Sequence, residues 1–161
     1  MRIEKKLLTL ARRARKRAYV PYSGSAVGTA VLGGSGRVYT GANIENASYG
    51  ESICSERVAI FSAIHRGERV IKAVCIVAPS ARPCGACRQV MIEFGTRDTR
   101  LIFSEVDDDG GESIRRMRLR TLHPLVYNPI KAGLLPPGAE NIPFFRKNPQ
   151  RRKRAKKRKK K

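Results

Sequence analysis

The stretch "VIKAVCIVAPSARPCGACRQVMIEFG", residues 70–95, decides how this chain folds. Its first ten residues form a β-branched, apolar run closed by Pro79, which is the pattern of a central strand. From Cys84 the residues read as a short helix closed by Gly95. The apolar run "RLIFS" at 100–104 then predicts another strand.

Working outward, Ile3, Leu7, Leu10, Ala14 and Ala18 share one face at helical spacing, which predicts a first helix over 2–18. "YVPYSG" breaks the chain. Residues 26–32 suit a buried strand, "GGSG" a hairpin turn, and 37–43 its alternating partner. "IENASYGES" reads as a loop. Residues 55–66 are helical, with Val58, Ile60, Phe61 and Ile64 as the apolar set and Gly67 as the stop. Past the acidic turn "DDDGGE", residues 113–119 read as an edge strand. The order α-β-β-α-β-α-β-β predicts an α/β fold with helices on both sides of one mixed five-stranded sheet.

With 161 residues, of which 41% are hydrophobic, the chain fits one ordinary globular domain. No apolar run approaches the roughly 20 residues of a membrane span. The basic N-terminus lacks the apolar core of a secretory signal. An organelle transit peptide is the alternative to a first helix of the domain. The expected compartment is the cytoplasm, where thiols stay reduced.

The net charge of +21 is unevenly spread. Residues 146–161, "RKNPQRRKRAKKRKKK", hold twelve basic residues and no acid, leaving +9 for the first 145. Eight basic residues lie between Arg2 and Arg17. The organisation read from this is a domain over 1–128, a Pro/Gly-rich extension over 129–145 and a disordered basic tail over 146–161. Such a tail either solubilises the chain or grips nucleic acid non-specifically through counterion release.

Cys84 and Cys87 invite three readings: disulfide, redox pair or half of a metal site. Cys54, at the start of the other helix, favours the third. Helix N-termini favour thiolates. Three thiolates converging from two such starts make three corners of a tetrahedron and leave a fourth open, as in catalytic zinc sites. Glu56, two residues after Cys54, suits the dipole of its helix and equally suits a general acid/base beside a metal. Cys-x-Glu followed by Pro-Cys-x-x-Cys is the three-cysteine form of a zinc deaminase signature. Cys75 reads as core packing, and His65 and His123 have no ligand-like spacing.

At "AYVPYSGSAVG", "GANIENASYGESICSERVAI" and "PCGACRQVMIEF" the chain resembles the small homotetrameric cytidine deaminases, a family related to blasticidin-S deaminase. The resemblance covers about residues 5–127. It implies a three-layer α/β/α sandwich, a zinc ion on Cys54, Cys84 and Cys87, and Glu56 as proton shuttle. It also implies that Asn43 and Glu45 hold the ribose hydroxyls and that Arg57 hydrogen-bonds the ligand thiolates. Tyr127 falls where the family supplies a ring that stacks on the base in a neighbouring subunit's site. After "PYS" the family usually carries an aromatic residue two positions on; here it is Ser25, which opens or repolarises the pocket. The expected activity is hydrolytic deamination of cytidine and deoxycytidine in pyrimidine salvage. The alternatives are a deaminase of another aminated nucleoside or a nucleic-acid base, and a non-enzymatic zinc-stabilised RNA-binding module.

Overall fold

The apolar run at the centre of the sequence is also the centre of the sheet. The computed structural model describes residues 2–107, 109–129, 132–134 and 142–145. In chain order the elements are α1 (Arg2–Arg15), β1 (Gly28–Gly33), β2 (Val38–Ala42), a 3-10 turn (Tyr49–Glu51), α2 (Ser55–His65), β3 (Ile71–Ala78), α3 (Gly85–Phe94), β4 (Gly95–Val106), β5 (Glu112–Arg118) and α4 (Leu119–Leu122). Every residue of β3 except Lys72 is buried. The sheet order is β2-β1-β3-β4-β5, with β3 and β4 parallel and the other neighbours antiparallel.

The period of two along β3 divides the core between two layers. Ala73, Cys75 and Val77 face Leu7, Leu8 and Ala11 of α1. Val74 and Ile76 face the other way, toward Ile60 and Ala63 of α2 and Met91 and Ile92 of α3. This is the three-layer α/β/α sandwich that the resemblance implied. A fully buried leucine such as Leu7 contributes about 1.5–3 kcal/mol by leaving water. Burial pushes the Cys75 thiol up to about 12, so this cysteine packs as an inert apolar residue.

Two glycines set how closely the layers approach. A Cβ at Gly28 would lie 2.1 Å from the Ala11 carbonyl oxygen of α1, and one at Gly41 would lie 2.5 Å from the Ser55 carbonyl oxygen of α2. Gly41 therefore fixes the depth of the first turn of α2. Helix α1 is also tied to β5 by Arg12 with Glu112 and by Arg116 with Glu4 at 2.7 Å.

The structure trims three expectations. Helix α1 stops at Arg15 because Arg17 N–H and Ala18 N–H bond the carbonyls three residues back, tightening the chain into a turn. β4 begins at Gly95, directly after α3, through a polar stretch that composition hid. The chain after Arg118 turns into α4 instead of extending β5. From the Pro/Gly-rich extension, Ile142 and Phe144 pack into the α2–α3 core, and Arg97 lies over the Phe144 ring at 5.4 Å. The basic tail lies outside the described residues.

Candidate metal centre and active site

Cys54 is the N-cap of α2 and Cys84 the N-cap of α3, and neither side chain caps its own helix. Cys87 follows one turn later and is buried. The three sulfurs lie within 4.8 Å of one another, with Cys54 and Cys84 3.8 Å apart and Cys84 and Cys87 3.5 Å apart. These spacings are far beyond a disulfide bond of about 2.05 Å. A zinc–sulfur bond of about 2.3 Å in a tetrahedron demands sulfur–sulfur edges of about 3.8 Å. The trio therefore fits a zinc ion without rearrangement. The third sulfur, Cys54, in the same cluster favours the metal reading of Cys84 and Cys87 over a disulfide or redox pair.

Charge around the sulfurs is arranged to suit. A hydrogen bond from Cys87, together with the Arg57 guanidinium, holds the Cys54 thiol down to about 5, while the Cys87 thiol is pushed up by that same bond and by burial. Arg57 Nη2 donates to the Ser52 carbonyl at 3.2 Å and lies 4.0 Å from Cys54 Sγ. This sets a positive charge beside the sulfur cluster.

Glu56, expected from sequence, is 5% exposed and sits on the first turn of α2 between two of these groups in sequence. Burial pushes its carboxyl above the usual carboxylate range. Its Oε2 accepts from the Ser55 hydroxyl at 3.1 Å, and that hydroxyl is 2.7 Å from the hydroxyl of Thr29 on β1. Thr29 and Ser55 were not read as site residues. The available signal was one threonine in the otherwise apolar strand "GTAVLG", but its partner lies 26 residues away.

Asn43 and Glu45 flank Ile44, which pairs antiparallel with Ile53, one residue before Cys54. That bridge brings both to the edge of the cysteine site. Their side chains also clamp the preceding loop. Asn43 Oδ1 accepts from Val27 N–H at 2.8 Å, and Nδ2 donates to the Ser25 carbonyl at 2.9 Å. The Glu45 carboxylate accepts from the backbone N–H groups of Tyr22 and Ser23 at 3.0 and 3.1 Å and from the Ser23 hydroxyl. Those bonds hold Glu45 below the usual carboxylate range. Ser25 is exposed on this loop. Tyr127 is 61% exposed beyond α4. Among the described residues, no helix is long and apolar enough to cross a membrane.

Comparison with known proteins follows the same residues. The family model "Cytidine and deoxycytidylate deaminase zinc-binding region" matches residues 1–103. A cytidine deaminase of Halalkalibacterium halodurans is 48% identical over 106 residues, 64% of this chain and 80% of that protein. The crystal structure of cytidine deaminase from Burkholderia pseudomallei superposes with a TM-score of 0.70 at 38% identity, covering 76% of this chain and 98% of the other. That of Mycobacterium tuberculosis gives 0.64 at 35% identity, covering 77% and 96%.

Proposed function

The chain belongs to the cytidine deaminase family of zinc enzymes, and we propose that it hydrolyses the 4-amino group of free cytidine and deoxycytidine. The products are uridine or deoxyuridine and ammonia. The observation that supports this most is the convergence of three thiols from two helix starts with a buried carboxyl beside them.

Cys54, Cys84 and Cys87 hold the zinc ion, which supplies the Lewis acidity that makes water nucleophilic near neutral pH. Glu56 receives a proton from the attacking water and delivers it to ring N3 as the oxygen–C4 bond forms. It then carries the second proton to the amino group, the C4–nitrogen bond breaks, and ammonia leaves. The same carboxyl is base and then acid, a role worth on the order of 10²–10⁴-fold. Ser55, braced by Thr29, keeps one carboxylate oxygen from turning away. Arg57 stabilises the thiolates. Asn43 and Glu45 take the ribose hydroxyls while holding the 22–27 loop over the sugar.

In this reading the catalytic domain is 1–128, followed by 129–145, which Ile142 and Phe144 tie to its core, and by the basic 146–161. The enzyme works in pyrimidine salvage in the cytoplasm, as a homotetramer in which Tyr127 stacks on the base in a neighbour's site. The tail adds non-specific adhesion to nucleic acid. Ser25, on the loop that Asn43 and Glu45 clamp, favours one second reading, a different aminated nucleoside as the preferred substrate.

A substrate panel tests the proposal. Ammonia release is measured with cytidine, deoxycytidine, cytosine and a cytosine-containing single-stranded RNA. Turnover of the two nucleosides well above the other two is expected. Faster turnover of the RNA, or no turnover by zinc-loaded protein, would overturn it.

A further inference from the structure

The outer face of α1 has no part in the deaminase site. The apolar face of the helix turns to the sheet, with Leu7, Leu8, Ala11 and Ala14 buried and Ile3 and Leu10 partly buried against it. What remains outside is a row of exposed cations: Arg2, Lys5, Lys6 and Arg13 on the helix, continued by Lys16 and Arg17 in the turn after it. The two acids on this side, Glu4 and Glu112, are already taken by Arg116 and Arg12. Among the described residues, none of the six outer cations has a salt-bridge partner. Arg100 of β4 extends the field, since it lies near enough to bias Glu4, and it pairs directly opposite Arg118 of β5.

Nothing in folding asks for this arrangement. Arg2 and Lys5 sit at the positive end of the helix dipole. Arg2 and Lys6 are like charges one helical turn apart, which repel. The fourteen helical residues alone carry this row over about 21 Å, and Lys16 and Arg17 prolong it. Duplex nucleic acid carries one negative charge per about 1.7 Å of axis, so a row of that length faces many phosphates. An anionic membrane fits less well. A helix that lies on a bilayer needs a free apolar face, and here that face is buried.

We propose that the outer face of α1, with Arg100 and Arg118 beside it, is a docking surface for the phosphate backbone of nucleic acid. It lies in the layer opposite α2 and α3, which carry the cysteines, and it acts independently of the tail and of the identity of the nucleoside substrate. Contacts to phosphates position a polymer without reading bases, so the surface holds RNA or DNA of any sequence.

The test uses the full-length, zinc-loaded protein and a fluorescently labelled single-stranded RNA, with binding followed by anisotropy from about 0.05 to 0.2 M salt. The triple variant Lys5→Gln/Lys6→Gln/Arg13→Gln is compared with a charge-matched control on the other side of the sheet, Arg66→Gln/Arg82→Gln/Arg115→Gln. In the α1 variant, log affinity against log salt should be shallower by about 2, since each single-strand phosphate contact contributes about 0.7. Affinity should fall about tenfold or more, and cytidine turnover should not change. The control should bind nearly as the parent does. Absence of RNA binding by the parent, equal losses in the two variants, or an unchanged slope in the α1 variant would overturn the proposal. So would α1-dependent capture of phosphatidylserine vesicles with RNA binding unaffected.

Discussion

The two helical layers of this molecule cover the same sheet in opposite ways. Helix α1 divides sharply, with leucine and alanine inward and arginine and lysine outward. Helices α2 and α3 differ from it: in α2 no such division exists, and in α3 it is weaker, with Cys87, Met91 and Ile92 inward and Gln89 and Glu93 outward. Their buried set includes polar and ionisable groups, Ser55, Glu56 and Cys87, gathered at their first turns. An amphipathic helix is positioned by burial alone and leaves its outer face free for other work. A helix whose N-terminus carries chemistry must instead be held at a fixed depth. Gly41 and the Thr29–Ser55–Glu56 hydroxyl chain do this for α2.

The largest expected effect lies in the α2–α3 layer. Cys84→Ala removes one of three protein ligands, so zinc content by mass spectrometry should collapse and deamination with it. Stability should fall too, because metal binding is coupled to folding. Full zinc occupancy in that variant would break the assignment. Next comes Glu56→Gln, nearly isosteric but unable to shuttle a proton. It should keep zinc and fold while kcat drops by about 10²–10⁴-fold. Turnover within tenfold of the parent would remove Glu56 from the proton path.

Paired glycine substitutions sharpen the contrast between layers. Gly28→Ala and Gly41→Ala each force a Cβ against helix backbone, and each should cost about 1–3 kcal/mol in denaturant unfolding. Gly41→Ala should also lower kcat of the folded fraction, because it shifts the turn that holds Glu56. Gly28→Ala should leave kcat unchanged. Equal kcat losses would mean that the two layers are not separable.

The smallest effect concerns the ties of α1. The hydrogen bond from Arg116 holds Glu4 below its ordinary value of 4.5, and Arg12 and then Ser104 do the same for Glu112. A lowered folded-state value means the pairs stabilise above about pH 4.5 and are lost as pH falls through the lowered values. Both pairs are partly solvated, so each contributes little, and less in high salt. The double variant Glu4→Gln/Glu112→Gln should therefore show a shallower loss of stability than the parent between about pH 5 and 3. Parallel profiles would show that these pairs contribute nothing.

The metal trio was legible because Cys-x-Glu and Pro-Cys-x-x-Cys are local patterns, and the strand and helix that carry them announce themselves by apolar run and period. Thr29 and Ser55 were not legible, because a hydrogen bond between residues 26 apart leaves no spacing to read. The first five residues of β4 were hidden by their polarity, since Arg97 and Asp98 are exposed and no apolar alternation marks them. Phe144 lies in a Pro/Gly-rich stretch whose composition reads as loop, and only tertiary packing draws it into the core. The clamp made by Asn43 and Glu45 was equally invisible, because their role was read from a motif and their bonds run to loop backbone.

One edge of the sheet carries a further consequence. β5, "ESIRRMR", is an outermost strand with Arg115, Arg116 and Arg118 along it. An open edge is a template on which another chain can add strands and begin an aggregate. Parallel in-register stacking of two copies of β5 would set these arginines against one another, and their repulsion opposes that route. Sheet continuation from chain to chain is thereby disfavoured at this edge, both in the finished protein and while strands are exposed during folding.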